Sequence, residues 1–245
     1  MNWTDDAFVL SSKRHGESSV VLNLFTKNRG KHAGFLRGVN KKNTKSIIQP
    51  GNLVRANWRS RIEENLGTYN LELIESFPSN FLYNPIYLLT LSSVCSLCNE
   101  TLPERESFPS IYSGVNEVIN LTSEYKEVLI SKYIFFELDM LSALGFGLDL
   151  SSCVLTGSKK NLAWVSPKSG KAVSYDSGLE YSDKLLYLPH FLIKKYYSKD
   201  IGEIYKGLVL TGYFLKKFLY KDLGKNLPLN RIRLFEKIED MNKND

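Results

Sequence analysis

Cysteine, histidine and long apolar runs are scarce in this chain, and each shortage excludes a class of protein. The three cysteines among 245 residues are an odd number, so they do not build a disulfide framework and they fit a reducing compartment. The most apolar windows still contain Lys, Glu or Asp, and the first residues lack the pattern of a signal peptide. We therefore expect a soluble, cytoplasmic protein without a membrane partner.

Motifs for catalysis and for cofactor binding are also missing. The three histidines are far apart in sequence and have no paired cysteine or carboxylate nearby, so no catalytic triad is visible. Neither a GxxxxGK[ST] loop nor a GxGxxG turn after a strand occurs. The expectation is a protein that is not an enzyme and holds no cofactor; a metal-dependent nuclease using Asp5, Asp6 and Glu17 is the enzymatic alternative.

One CxxC pair, Cys95 and Cys98, has a spacing found in metal and redox sites. Both cysteines lie in an apolar helical run, and neither a second CxxC nor a pair of histidines follows. Buried cysteine behaves as a small apolar residue. The pattern therefore favours packing, and we expect no metal. Glu104, Arg105 and Glu106 lie in a connector between two helices, which is expected to form an ion-paired turn.

Positive charge is concentrated near the beginning of the chain. Twelve Lys and Arg lie between Lys13 and Arg61 against one carboxylate, whereas the whole chain carries only +6. Such a stretch repels itself in a compact state unless an anionic partner is present, and polyphosphate is the commonest such partner. Nucleic acid is thus the first hypothesis, and the candidate DNA-binding residues are Lys13, Arg14, Lys27, Arg29, Lys31, His32, Arg37, Lys41, Lys42, Lys45, Arg55, Arg59 and Arg61. We expect them to form one continuous track, with His32, Phe35 and Tyr69 as base-stacking candidates.

The residue pattern changes once along the chain, from strands to helices. Strands are predicted over 7–12, 18–26, 31–39, 53–62 and 68–74, with turn residues between them and a longer basic loop after the third. Helices are predicted over 85–102, 110–121, 124–144, 183–197, 201–221 and 228–240. The fold class is therefore α+β: a five-stranded β-barrel of OB-fold type at 1–78, then an α-helical domain at 79–245 with an irregular insertion at 148–180.

Two faces of the predicted elements carry specific expectations. In the fourth strand, residues two apart share a face. The inner face holds Val54, Ala56, Trp58 and Ile62, and the outer face holds Arg55, Asn57, Arg59 and Arg61. Trp58 is thus expected in the barrel core rather than on a stacking surface. In the last helix, Arg231, Arg233 and Lys237 are expected to form a second, weaker basic face.

Nine segments span nearly the whole sequence: WTDDAFVL at 3–10, RHGE at 14–17, RGKHAG at 29–34, QPG at 49–51 with WRSR at 58–61, LG at 66–67, LPER at 102–105, LGFGLD at 144–149, LAWVSP at 162–167 and LTG at 210–212. In this order they resemble the RecO family of bacterial recombination and repair proteins, specifically its alphaproteobacterial branch. The resemblance implies an N-terminal OB-fold and a C-terminal helical domain.

The same resemblance implies a function without catalysis. RecO-like proteins bind single- and double-stranded DNA, anneal complementary strands and work with RecR, sometimes with RecF, to help RecA displace the single-stranded-DNA-binding protein. The location implied is the nucleoid in the cytoplasm. The helical domain recognises the acidic, apolar-tipped tail of the single-stranded-DNA-binding protein, and the rim expected here is Lys206, Tyr213, Lys216 and Lys217. An RNA-binding OB-fold accessory protein is the alternative, because phosphate contacts barely distinguish the two polymers.

A four-cysteine zinc module is implied by the resemblance but is degenerate in this sequence. The ligand positions fall on Cys153, Thr156, Ser174 and Ser177, so one thiol remains. Uncharged hydroxyls are poor substitutes for thiolates in a tetrahedral site. We expect no zinc, and we expect Leu162, Trp164 and Val173 to hold the insertion by packing. Stoichiometric zinc in the purified protein would contradict this.

Overall fold

The computed structural model describes residues 1–39, 42–62, 65–77, 83–121 and 125–244. The chain forms two compact units, 1–120 and 121–245. The predicted domain boundary at 78/79 lies between the last barrel strand and the first long helix, and it stays a prediction. Across the described ranges, no helix combines the length and the apolar character that crossing a membrane requires.

The first unit contains a closed five-stranded barrel, as predicted. Its strands are β1 (Asn2–His15), β2 (Ser19–Thr26), β3 (Gly30–Arg37), β4 (Leu53–Arg59) and β5 (Thr68–Glu75), hydrogen-bonded in the order β1-β2-β3-β5-β4 with β4 returning to β1. Only β3 and β5 pair in parallel. Because β1 pairs with β4 through its first half and with β2 through its second half, it is far longer than the predicted 7–12.

The barrel core follows the alternation of the strands. Val54, Ala56 and Trp58 are buried, as expected, and the Trp58 indole N–H donates to the carbonyl oxygen of Leu66 at 3.1 Å. Ile62 is 56% exposed, so its assignment to the core was wrong. The reason is that β4 ends at Arg59, and the alternation of a strand does not extend beyond its last paired residue.

The basic segment between β3 and β4, predicted as a loop, contains a short helix, α1 (Lys42–Ile47). The chain around it is anchored by apolar residues rather than left in solvent. Val39 and Ile48 are buried in the barrel core, and Ile47 packs against the same cluster. The Asn52 side-chain amide donates to the carbonyl oxygens of Ser46 and Ile47, so the end of α1 is tied to the start of β4.

Two helices complete the first unit, α2 (Pro85–Thr101) and α3 (Pro109–Ile119). Cys95 and Cys98 lie in α2, are free thiols and are fully buried. Burial raises the pKa of the Cys95 thiol to about 12. The pair therefore contributes to packing, as predicted, and neither thiol is ionised at neutral pH.

Gly30 fixes the turn between β2 and β3 against the connector that follows α2. Its φ is +69°, and a Cβ atom there would lie 1.7 Å from the carbonyl oxygen of Glu106. Replacing Gly30 with alanine is expected to lower the free energy of unfolding by about 3 kcal/mol, because backbone must shift in addition to the left-handed strain. Gly38, with φ +74° and open space, is the matched control, and Gly38→Ala should cost only about 1 kcal/mol. Equal losses in urea unfolding would contradict the role of this contact.

The second unit is built on three helices, α4 (Lys126–Ala143), α7 (Ile201–Leu215) and α8 (Leu229–Asn244), with a π-helical turn at Lys216–Tyr220.

Arg231 of α8 is only 2% exposed, so its assignment to a basic surface was wrong. Its guanidinium pairs with Glu137 of α4 at 2.9 Å and donates to the carbonyl oxygen of Leu208 at 2.7 Å. The Thr211 hydroxyl donates to the same carboxylate. This buried network, Glu137, Thr211 and Arg231, joins the three helices.

The insertion is more regular than its sequence indicates. A three-stranded sheet is formed by β6 (Leu162–Val165), β7 (Ala172–Ser174) and β8 (Leu186–Tyr187), with β6 in the centre. Leu162 and Val173 are buried and Trp164 is half-buried. The helix predicted at 183–197 is replaced by β8 and the short α6 (His190–Lys194), because Pro189 precedes α6 and Lys195 ends it in a left-handed conformation. A one-turn α5 (Tyr175–Gly178) follows β7.

Candidate nucleic-acid interface

The predicted basic residues lie at both ends of β2. Lys13 and Arg14 precede the β1–β2 turn, and Arg37 pairs with Ser19 at the same end of β2. Lys27 and Arg29 lie in the β2–β3 turn, at the opposite end of β2. The two turns lie at opposite ends of β2, because an antiparallel meander places successive turns at opposite ends of the strands.

Arg59 and Arg61 line an open groove of about 880 Å³ at one end of the barrel. The groove is bordered by the first residues of β1, the end of β4 and the start of β5, and both arginines are exposed. Among the described residues that line it there is no carboxylate. The described lining thus combines two guanidinium groups with backbone of the 65–67 segment, while Glu63 and Glu64, between them in the sequence, lie outside the described residues. Guanidinium groups bind anionic phosphates. We call this groove the arginine groove.

A smaller cavity of about 180 Å³ lies beside this groove and is lined by Trp3, Asn28, Arg29, His32, Trp58 and Arg105. The Trp3 and Trp58 rings stack with their centroids 5.6 Å apart. The Arg29 guanidinium lies 5.6 Å from the Trp3 ring centroid, within the range of a cation–π contact. Arg29 thus belongs to the same end of the barrel as the arginine groove.

Three predicted DNA-binding residues are engaged elsewhere. Arg55 forms an ion pair with Asp6 at 3.0 Å, and Glu72 is its partner on β5, so its charge is largely balanced. The Lys31 ammonium donates to the carbonyl oxygen of Asn99 in the last turn of α2, at 2.9 Å. His32 is 4% exposed and Tyr69 is 6% exposed, so neither ring offers a free stacking face.

The remaining predicted residues are distributed as follows. Lys45 is exposed on α1. Lys41 and the side chain of Lys42 lie outside the described residues. Phe35 is half-buried, its ring contacts His15 at 5.1 Å, and its backbone N–H donates to the carbonyl oxygen of Gly67, which lines the arginine groove.

Arg105 is a candidate that the sequence alone did not provide. It has φ +62°, its backbone N–H donates to the carbonyl oxygen of Lys31 at 2.8 Å, and its guanidinium lies 3.4 Å from the carbonyl oxygen of Asn65. Neither Glu104 nor Glu106 forms an ion pair with it among the described residues, so the predicted ion-paired turn is absent there. The sequence does contain a signal for Arg105, because the segment 102–105 is one of the nine that resemble the family.

In the second unit, one of the four residues of the expected tail rim is engaged elsewhere. The Lys206 ammonium lies 3.6 Å from Glu203 and 4.2 Å from the Tyr187 ring centroid. The Lys217 ammonium donates to the carbonyl oxygens of Pro167 and Lys168, at 2.5 and 3.2 Å. Tyr213 is 40% exposed and Lys216 is exposed. Lys217 is thus used to hold the β6–β7 turn, and only three of the four side chains face solvent.

The four positions aligned with the zinc module do come together. The Cys153 thiol is hydrogen-bonded to the side chains of Ser174 and Thr156, and Ser174 donates to Ser177 at 2.9 Å. Burial raises the pKa of Cys153, but these hydrogen bonds, with those from the two backbones, outweigh it and lower the pKa to about 6. One thiolate and three hydroxyls do not fit the donor set of structural zinc. The Ser174 and Thr156 hydroxyls instead provide hydrogen-bond partners for the single thiol of Cys153.

Restoring thiols at these positions tests the arrangement. The triple substitution Thr156→Cys, Ser174→Cys and Ser177→Cys is expected to bind one zinc ion per chain, because four thiolates then converge where one is now hydrogen-bonded. Metal analysis after dialysis measures this. The control is the same protein with Cys153→Ser added, which should bind zinc far more weakly. A triple variant without zinc would show that the four positions do not form a tetrahedron.

Two family models and several known proteins match this chain. Residues 1–77 match the family model described as "Recombination protein O N terminal", and residues 83–226 match "Recombination protein O C terminal". A protein of Rhodospirillum centenum named "DNA repair protein RecO" is 38% identical over 239 residues, which cover 97% of this chain and 94% of that protein. Proteins of the same name from Caulobacter vibrioides (36% over 243 residues, 99% and 100%) and a Wolbachia species (38% over 233 residues, 93% and 96%) are similar over the same extent.

These matches confirm the resemblance drawn from the nine segments, including its alphaproteobacterial character. With a closed five-stranded barrel, a helical second part and two family models that together cover nearly all of its length, this chain belongs to the RecO family of DNA repair and recombination proteins.

Proposed function

We propose that this chain is a DNA repair mediator that binds single- and double-stranded DNA, anneals complementary strands and, with RecR, helps load RecA onto DNA coated by single-stranded-DNA-binding protein. The observation that carries the proposal is the arginine groove at the end of the OB-type barrel. RecF is a further functional partner in this scheme. The proposed role needs no catalysis and no cofactor.

The physical basis of annealing is charge screening. Arg59 and Arg61 displace counterions from phosphates, which lets two strands approach, and contacts to the backbone alone let them slide into register. Because the groove is open and lined by few apolar side chains, it fits a backbone better than a fixed base sequence. Such binding weakens steeply as salt rises.

The proposed tail site in the helical unit is revised by the contacts described above. Lys206, Tyr213 and Lys216 remain candidates for the acidic tail of single-stranded-DNA-binding protein, whereas Lys217 contributes through the β6–β7 turn. A tail peptide that binds Lys206→Glu/Lys216→Glu as tightly as the unmodified protein would remove this proposal. Arg233→Glu/Lys237→Glu, on the exposed face of α8, is the charge-matched control.

The experiment that tests the function is annealing of two complementary strands coated with the cognate single-stranded-DNA-binding protein, across a salt series, with and without this protein. Acceleration that fades as salt rises supports the mediator. DNA binding without acceleration would leave only a nucleic-acid-binding protein.

Two further assays test the alternative functions. Competition between DNA and RNA strands of equal length separates the proposal from an RNA-binding function, and a label-release assay with magnesium or manganese tests for a nuclease.

A further inference from the structure

The cavity beside the arginine groove gathers polar groups from several separate parts of the first unit. Trp3 comes from β1, Arg29 from the β2–β3 turn, His32 from β3, Trp58 from β4 and Arg105 from the connector after α2. Three of these elements are barrel strands, which hold side chains more precisely than free loops. A volume of about 180 Å³ is small for an extended strand and suits a single small group.

His32 has an unused hydrogen-bonding position in this cavity. Its Nδ1 lies 3.2 Å from the carbonyl oxygen of Ala33 and 3.5 Å from the Tyr69 hydroxyl. Within the described ranges Nε2 has no hydrogen-bond partner, and it borders the cavity rather than being fully enclosed. Trp3 and Trp58 meet the imidazole edge-to-face, at centroid distances of 5.0 and 4.8 Å, and so fix its plane. A ring nitrogen that borders a cavity can form a hydrogen bond with a group bound there.

The charges around His32 are mainly positive. Burial, and then the charges of Arg105 and Arg29, hold the pKa of His32 below its usual range, against the opposing effects of the Ala33 carbonyl and Glu104. Asp5, a buried carboxylate of β1, accepts from the Asn28 side chain and backbone, both at 2.8 Å, and from the backbone of Asp6. Its charge is therefore already satisfied, whereas each guanidinium retains most of its five N–H donors.

We propose that this cavity binds a phosphate group of a nucleic-acid strand. Arg29 and Arg105 donate charge-assisted hydrogen bonds to the phosphate oxygens, and His32 contacts the group through Nε2. The bound anion favours the protonated imidazole, whose two N–H groups then donate to the Ala33 carbonyl and to the phosphate. The proposal rests on the proposed DNA-binding function only for the source of the phosphate.

The position of the cavity connects it to the arginine groove. Asn65 and Gly67 line the groove, while the carbonyl oxygens of Asn65 and Leu66 accept from Arg105 and Trp58, which line the cavity. One short segment thus separates the two. A strand in the groove can place either an internal phosphodiester or its own terminal phosphate in the cavity, and the experiment separates these two sources.

The first measurement uses inorganic phosphate alone, so that it is independent of DNA binding. Phosphate is titrated against chloride at constant ionic strength, and the fluorescence of Trp3 and Trp58 in the cavity wall reports binding. Arg29→Gln and Arg105→Gln are expected to weaken the response about tenfold each, since each removes a charge-assisted hydrogen bond. Arg233→Gln removes the same charge on the exposed face of α8 and should leave it unchanged. No saturable response, or an equal loss with Arg233→Gln, overturns the proposal.

The role of His32 is tested with two isosteres. The side-chain amide of glutamine reaches the place of Nε2, and that of asparagine reaches the place of Nδ1. His32→Gln should therefore retain more phosphate affinity than His32→Asn, with thermal melting to show that both variants fold. If the two bind phosphate equally and as well as the unmodified protein, His32 is not a ligand.

The second measurement uses single-stranded oligonucleotides that carry a 5′-phosphate or a 5′-hydroxyl. If Arg105→Gln weakens only the phosphorylated strand, about tenfold, the cavity holds a terminal phosphate; an equal loss with both strands assigns it to an internal phosphodiester. Binding of both strands by Arg29→Gln and Arg105→Gln as tight as by Arg233→Gln refutes the cavity while leaving the groove intact. If the unmodified protein binds no strand, the proposed function fails, and the phosphate titration still decides on the cavity.

Discussion

Reversing the charge of Arg59 and Arg61 together is expected to weaken single-stranded DNA binding by at least about 100-fold at moderate salt. Both side chains are exposed in the arginine groove, with no carboxylate among its described lining residues. Loss of two charge-assisted hydrogen bonds at about 1.5 kcal/mol each gives roughly this factor. The slope of log affinity against log salt should also become shallower by about 1.4, since each contact to a single strand contributes about 0.7. Fluorescence anisotropy over a salt series measures both quantities.

The matched control for this prediction is Arg233→Glu/Lys237→Glu, which changes the net charge by the same amount on the exposed face of α8. It should change affinity little, because exposed charges at long range are screened at moderate salt. Annealing is expected to fall together with affinity in the groove variant. Loss of annealing with unchanged DNA affinity would contradict the screening mechanism, and equal losses in both variants would show an effect of net charge only.

Replacing Arg231 with methionine is expected to lower the free energy of unfolding by about 3–5 kcal/mol, because it leaves the Glu137 carboxylate buried without its partner. Arg233→Met, two residues along the same helix but exposed, should change stability by less than about 0.5 kcal/mol. Urea unfolding measures both.

Removing both buried charges tests the origin of that loss. Arg231→Met with Glu137→Leu should be more stable than Arg231→Met alone, since no unpaired charge then remains in the core. A double variant that is less stable than the single variant would show that the packing of the two side chains, rather than the unpaired carboxylate, dominates.

The barrel could be predicted from sequence because alternation along each strand and turn residues between strands are local signals. The ends of the strands could not. β1 extends from Asn2 to His15 because two different strands pair with its two halves, which is a property of the assembled sheet. The helix α1 was missed because its basic residues resemble a solvated loop, while Val39 and Ile48, which anchor it, lie outside it.

The candidate site was predicted only in part. A basic residue can be neutralised or engaged by a partner from a distant part of the sequence, and the sequence alone does not show which partner that is. Arg59 and Arg61 do face the groove, whereas Asp6 neutralises Arg55 from another strand and the end of α2 holds Lys31. Arg231 is the clearest case, since its partner Glu137 is 94 residues away. The segment 210–212, one of the nine that resemble the family, contributes to this network. Thr211 donates to Glu137, and a Cβ atom added at Gly212 would lie 3.1 Å from the Arg231 guanidinium, so glycine leaves room for it.

The separation of the basic residues to the two ends of β2 implies a minimum length for a strand that uses them all. An eight-residue strand spans roughly 26 Å, and nucleotides in a stacked strand advance about 3.4 Å each. A stacked oligonucleotide shorter than about eight nucleotides therefore reaches either Arg14 and Arg37 or Lys27 and Arg29, but not both. Affinity should rise with oligonucleotide length in two stages, and the second stage marks the length at which one strand bridges the barrel.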